Sequence, residues 1–263
     1  MARPPHPVKA GRSAALFPGE ARDYPETRMK ETGPMTSGAA VVIGASGGVG
    51  AAVLSQLRAS GRFGTVHGVS RAADGLDITD EVSLAALAAR LADGPAPELV
   101  FVATGVLHDG FEPERSFKAL EAAHLRRDFE VNALGPALLA RHLIPLMPRD
   151  RRAVFAALSA RVGSIGDNRL GGWHSYRASK AALNMILKTL AVELARTHPQ
   201  AVVAGLHPGT VDTNLSKPFQ RGVKPEKLFT PEQSAAHLLQ VLDRLTPADS
   251  GGVFAWDGAR VPE

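Results

Sequence analysis

The sequence predicts an α/β fold: a doubly wound, about seven-stranded parallel sheet with helices on both faces, in a single domain over residues 38–263. Three observations predict it. From residue 38 onward, short runs rich in Val, Ala, Leu and Phe alternate with longer amphipathic runs. The short runs are almost continuously apolar, as strands covered on both sides must be. The first of them ends in the glycine-rich turn "IGASGGVG" and opens directly into a helical pattern.

The elements follow in order. "AAVVIG" (39–44) reads as a buried strand and "GVGAAVLSQLRAS" (48–60) carries helical spacing. "GTVHGVS" (64–70) is a strand and "DEVSLAALAARLA" (80–92) a helix. "ELVFVATG" (98–105) is a strand, and 115–147 is mostly helical, ending near Pro148. "RAVFAALS" (152–159) is a strand, followed by a long helix over 175–197. "AVVAGLHPG" (201–209) is a strand. "PEQSAAHLLQVLDRL" (231–245) is a helix with Pro231 in its first turn, and "GGVFAW" (251–256) closes the chain as a strand. No repeat or linker divides 38–263.

Composition narrows the function. With 44% hydrophobic and 21% charged residues, the 263-residue chain is a globular sequence. Cysteine is absent, which removes disulfides, thiolate zinc sites, iron–sulfur clusters and Cys nucleophiles. No metal is expected, and a reducing, cytoplasmic setting is. No run of 18 apolar residues marks a membrane helix. The net charge of +4 is dispersed, with Arg126, Arg127, Arg141, Arg149, Arg151 and Arg152 the nearest approach to a basic stripe, so no nucleic-acid partner is expected. Residues 1–37 differ from the rest. Six prolines and no apolar period make them a disordered arm, or an extension upstream of a true start at Met35.

The glycine turn implies a dinucleotide. Gly44, Gly48 and Gly50, with Ser46 and Val49 between them, follow a strand and precede a helix, where backbone N–H groups can hold a pyrophosphate. Ser70 and Arg71 stand at the end of the second strand, where an NAD-selective fold carries an acid. The planar guanidinium suits a 2′-phosphate, so NADP(H) is favoured over NAD(H). Asp77 and Ile78 in "GLDITD" are placed to border the adenine, and Ala103, Thr104 and Gly105 end the third strand on the same sheet edge.

Tyr176 and Lys180 lie four apart on one helix and share a face. An ammonium beside a phenol lowers the phenol's pKa from about 10. Such a tyrosine can donate a proton to a carbonyl oxygen or take one from an alcohol.

Together, "GASGGVG", "VNALGP" with Asn132, the serine-bearing strand end, "SYRASKAALN" and "HPGTVDT" resemble the short-chain dehydrogenase/reductase family over about residues 38–257. "SARVGSIGDNRLGGWHSYRASKAALN" resembles, more narrowly, its C-factor/sniffer-type carbonyl reductase branch. The resemblance implies a Rossmann fold, a nicotinamide cofactor, carbonyl–alcohol interconversion on a small molecule, and a homodimer or homotetramer. It also implies an Asn, Ser, Tyr and Lys tetrad, for which Asn132, Tyr176 and Lys180 match directly. Pro208, Gly209, Val211 and Thr213 match the segment that flanks the nicotinamide.

The chain departs from the family pattern in three places. Ile43 replaces a threonine, and Val102-Ala103-Thr104-Gly105 lacks the usual asparagine. The third departure touches chemistry: counted back from Gly163, Ala160 occupies the place of the catalytic serine. Ser159 is assigned that role here, with Ser164, or neither, as alternatives. His207 reads as a structural strand-end histidine, and His174 as a candidate for the substrate mouth. The polar segment 212–230 is expected to form a lid. The alternative function is a nucleotide-binding signalling or regulatory protein of C-factor type with little or no turnover.

Overall fold

The computed structural model describes residues 36–263; the arm expected at 1–37 lies outside the described residues, apart from Thr36 and Ser37, which open the first strand. That strand, β1 (Thr36–Ile43), runs through the glycine turn into α1 (Gly48–Ser60), then β2 (Phe63–Val69), a single helical turn α2 (Arg71–Asp74) and α3 (Glu81–Ala92). Next come β3 (Pro97–Val102), α4 (Ala122–Phe129), a π-helical turn at Glu130–Leu134 and α5 (Gly135–Leu143). The second half holds β4 (Ala153–Leu158), α6 (His174–Leu194), β5 (Ala201–His207), the two-residue strands β6 (Thr210–Val211) and β7 (Leu228–Phe229), α7 (Pro231–Arg244) and β8 (Val253–Ala255).

Local chemistry explains several boundaries. Asp80 caps α3 by accepting from Val82 and Ser83 N–H, which moves the helix start one residue past the expected 80. Thr230 and Gln233 form a reciprocal capping box at α7, with Pro231 in the first turn. Gly61 ends α1 in the left-handed region at φ 60°.

The main sheet is parallel, in the order β2-β1-β3-β4-β5-β8. It has six strands, not the expected seven. The six runs read as strands all form, and no seventh joins them among the described residues; between α2 and α3 the chain turns at Ile78–Thr79. Asp77 Oδ1 accepts from Thr79 N (2.8 Å) and Thr79 Oγ1 (2.7 Å). β6 and β7 pair only with each other.

Alternation along the strands builds two cores. Val41, Ile43, Val100, Val102, Phe155 and Val203 face the layer of α3, α5 and α6, meeting Leu84, Leu139, Leu143, Leu183 and Leu187. Their neighbours Val42, Phe101, Val154, Val202 and Leu206 face α1 and α7, meeting Val53, Leu57, Leu238 and Val241. Each such buried side chain contributes about 1.5–3 kcal/mol. Because β2 and β3 lie on opposite sides of β1, the chain reverses direction there, and a crevice opens at the carboxyl ends of the strands. Among the described residues no helix is long and apolar enough to cross a membrane, and no cluster of His, Asp or Glu is placed to hold a metal ion.

Candidate active site

The crevice is a cavity of about 760 Å³ at the carboxyl ends of β1, β3, β4 and β5. Its floor is the glycine turn. Gly44 sits at φ +82°, and a Cβ on Gly50 would stand 2.2 Å from the Gly44 carbonyl oxygen. A Cβ on Gly48 would stand 2.6 Å from Thr213 Cγ2. α1 therefore starts against the turn, and Gly47, its N-cap, brings no side-chain acceptor. No acid occupies the first turn, so the helix dipole is left for an anion. Ser46, Gly48, Val49 and Gly50 line the cavity, with Gly44 beneath them.

The opposite wall is the end of β3. Ala103, Thr104 and Gly105 line the cavity, and Thr104 Oγ1 is buried there without a hydrogen-bond partner. A buried hydroxyl in that state costs free energy unless a ligand satisfies it. The geometry fits a bound dinucleotide: a glycine cradle, an uncapped helix start and an unsatisfied hydroxyl share one crevice. Pro208, Gly209, Val211 and Thr213 line the cavity from the far side. Ser70, Arg71, Asp77 and Ile78 are not part of its lining. Ser70 caps α2 by accepting from Ala73 N (3.1 Å), and Arg71 is exposed at the first position of that turn. Asp77 is held below the usual carboxylate range by its hydrogen bonds from Thr79. Ile78 packs toward Gly135.

Tyr176 and Lys180 stand in the first two turns of α6, both facing the cavity and 9% and 3% exposed. Lys180 Nζ lies 5.8 Å from the centre of the Tyr176 ring and donates to the Leu158 carbonyl at 2.8 Å. Burial pushes the ammonium down to about 8, opposed by the charge of Asp128. The phenol is pushed up, first by burial and then by Asp128. This differs from the expected lowering. In a dry site the phenolate loses its water, and that loss outweighs a neighbouring ammonium weakened by the same burial.

Asn132 is fully buried in the π turn. Its Oδ1 accepts from Val106 N (2.9 Å), and its Nδ2 donates to Val106 O (2.9 Å) and Ser179 Oγ (3.1 Å). It thus ties the loop after β3 to α6, and the extra residue of the π turn aims it there. Asn132 lies behind Gly105 instead of lining the cavity.

Of the two candidate serines, Ser159 lines the cavity and Ser164 does not. Ser159 Oγ donates to Asn184 Oδ1 at 2.6 Å, one turn beyond Lys180 on α6. Ser164 Oγ accepts from Asp167 N at 3.1 Å. Ala160 lines the cavity and packs with Tyr176 and Leu107. His207 also lines the cavity, and burial lowers its imidazole to about 4, a neutral ring unsuited to acid catalysis. His174 is not part of the lining.

No local sequence pattern marks the apolar wall made by Leu107, Val162, Trp173, Leu215 and Phe219 around Tyr176. Trp173, three residues before Tyr176, adopts φ 52° and meets Phe219 edge-on at 5.0 Å. Asn184 carried a usable signal, since it repeats the four-residue spacing of Tyr176 and Lys180. Segment 212–230 supplies part of the lining through Leu215, Phe219, Arg221 and Lys224, and its end, β7, pairs with β6.

The family model for short chain dehydrogenases matches residues 38–224. A 1-hydroxy-2-glutathionyl-2-methyl-3-butene dehydrogenase of Rhodococcus sp. (strain AD45) is 37% identical over 185 residues, 70% of this chain and 76% of its own. The C-signal protein of Myxococcus xanthus is 33% identical over 144 residues, 54% of this chain and 81% of its own. Among solved structures, a Burkholderia multivorans protein of the short-chain dehydrogenase/reductase type with bound NADP superposes with a TM-score of 0.70 at 25% identity. That match covers 87% of this chain and 100% of the other.

Proposed function

The chain belongs to the short-chain dehydrogenase family and is a nicotinamide-dependent oxidoreductase, and from that premise we propose that it interconverts a carbonyl and an alcohol on a small molecule with NADP(H). The observation that carries the proposal is the buried Tyr176–Lys180 pair facing a cavity floored by the glycine cradle.

In this reading the backbone around Gly48 and Gly50 holds the pyrophosphate. Arg71 meets the 2′-phosphate, Thr104 Oγ1 takes a polar group of the nucleotide, and Lys180 holds the ribose hydroxyls. Pro208, Gly209, Val211 and Thr213 flank the nicotinamide. The bound cofactor supplies the hydride for reduction or accepts it in oxidation. Tyr176 Oη gives its proton to the carbonyl oxygen, or takes one from the alcohol, and Lys180 stabilises the phenolate that results. Asn132 holds the loop after β3 in register with α6. Ser159 turns from Asn184 to the developing alkoxide, exchanging a hydrogen bond worth about 0.5–1.5 kcal/mol for one made where charge appears.

The apolar wall and the exposed cations Arg221 and Lys224 at its rim support a substrate with an apolar reacting part and an anionic end. A glutathione conjugate, the substrate type in the Rhodococcus relative's name, has that form. Arg221→Glu with Lys224→Glu then raises KM for a carboxylate-bearing substrate by about tenfold or more and leaves KM for a neutral ketone unchanged. Equal effects on both substrates contradict this class.

A second reading, a cofactor-binding protein with little turnover, is favoured by one observation: Ala160 brings no hydroxyl and Ser159 is engaged by Asn184. NADPH consumption over a panel of aldehydes and ketones, set beside an NADPH fluorescence titration, tests both. Turnover supports the first reading; binding without turnover supports the second.

A further inference from the structure

Behind Tyr176 and Lys180 lies a group of ionisable side chains that the chemistry above does not use. Glu114, from the loop after β3, and His124 and Asp128, from α4, are 2%, 3% and 2% exposed. His124 Nδ1 stands 3.3 Å from Glu114 Oε1, and its Nε2 stands 3.6 Å from Asp128 Oδ1. The imidazole is stacked on Phe111 with ring centres 4.9 Å apart and planes 5° from parallel. Each of its two nitrogens therefore lies within ion-pair distance of a carboxylate, and Nε2 makes no hydrogen bond.

One end of this chain bonds to the catalytic helix, and the other lies on α4, which packs against it. Glu114 Oε1 and Oε2 accept from Ser175 N at 3.3 and 3.2 Å, and Ser175 Oγ donates to Oε1 as well. The Glu114 carbonyl accepts from Trp173 N at 2.5 Å. One residue thus fixes Trp173 and Ser175, the two neighbours of His174, and Ser175 directly precedes Tyr176. At the other end, Asp128 Oδ2 is buried with no hydrogen-bond partner, and the Asp128 charge acts on both Tyr176 and Lys180. An unsatisfied carboxylate oxygen in a dry site is costly, and packing alone gives no reason for it.

We propose that Glu114, His124 and Asp128 are positioning residues for the reaction: Glu114 anchors the first turn of α6, and Asp128, set beside His124, keeps Lys180 charged. The proposal rests on the reading of Tyr176 and Lys180 above. The groups that act on Asp128 are Glu114 from the loop, Lys180 and Tyr176 from α6, and His124 and Arg127 from its own helix, the last paired with Asp109. Burial and the Glu114 charge raise Asp128 to about 7, while burial lowers Lys180 to about 8. An Asp128 anion favours the charged form of Lys180 and so opposes the effect of burial. The sign is the same for both catalytic groups, since the Asp128 anion raises the pKa of Lys180 and of Tyr176. Carbonyl reduction needs both protonated.

The test is the pH profile of kcat/KM for carbonyl reduction, from about pH 6 to about pH 10, in Asp128→Asn and wild type. The alkaline limb should move down by about half a pH unit or more. KM for NADPH below that limb should stay within about twofold of wild type. Where Asn does not fold, Asp128→Ser, equally uncharged and smaller, carries the same reading. Glu114→Gln keeps an acceptor for Ser175 and should lower kcat with the limb in place. A limb that stays put in Asp128→Asn while only the melting temperature falls overturns the proposal, as does a limb that moves equally in Glu114→Gln. NADPH affinity by fluorescence over the same pH range needs no turnover. Its alkaline loss should also move down in Asp128→Asn; if it does while wild type reduces no carbonyl, the carbonyl reading fails and only the coupling of Asp128 to Lys180 stands.

Discussion

Ala160 presents a methyl group to the cavity beside Tyr176, where an oxyanion in this site would need a donor. The nearest hydroxyl on the same strand end, Ser159 Oγ, gives its proton to Asn184. If Ser159 turns to the substrate oxygen, Ser159→Ala lowers kcat by about 10²-fold, the loss typical of one such donor. Ser164→Ala leaves kcat in place, because that hydroxyl is bound to Asp167 N and lies off the cavity wall. An unchanged kcat in Ser159→Ala, with a gain in Ala160→Ser, contradicts the assignment; steady-state kinetics on the three variants decide it. Arg71 bears on cofactor choice. It is exposed at the start of α2, just after edge strand β2; if it meets a 2′-phosphate as proposed, Arg71→Glu should raise KM for NADPH by about tenfold or more and KM for NADH far less. A wild type that already prefers NADH contradicts this reading.

At the scale of elements, the start of α1 is the least forgiving place. A Cβ on Gly50 would meet the Gly44 carbonyl at 2.2 Å, and that neighbour is backbone, with no side chain to swing away. Gly50→Ala should therefore push α1 off the turn and weaken NADPH binding by about tenfold or more, read by fluorescence titration. Gly61→Ala, where a Cβ meets nothing within 4 Å, carries only the strain of φ 60° and should leave NADPH affinity unchanged. These elements show what a sequence makes visible. α1 and α7 are legible because their signals are local: a glycine turn, a proline at the first turn, a cap. The Tyr176–Lys180 pair is legible for the same reason, since spacing on one helix places both. The division of 115–147 into α4, a π turn and α5 is not legible, because Asn132 sets that register through bonds to Val106 and Ser179, 26 and 47 residues away. The line from Glu114 through His124 to Asp128 likewise depends on contacts that no local pattern records.

For the whole molecule, α6 leaves Met185 and Val192 66% and 55% exposed, seven residues apart on one face, and its partner α4 leaves Phe129 39% exposed. Apolar side chains at that exposure on adjacent helices support the homo-oligomer that the family resemblance implies. Met185→Glu with Val192→Glu should then halve the mass seen by light scattering after gel filtration; an unchanged mass contradicts an interface there. Tyr176→Phe bears on the chemistry itself, since it removes one hydroxyl and keeps the ring packed against Trp173 and Leu107. NADPH consumption with the best carbonyl substrate, measured beside NADPH affinity by fluorescence, should show turnover lowered by about 10²–10⁴-fold and affinity nearly unchanged. Near-normal turnover in Tyr176→Phe would mean that Tyr176 is not the proton donor.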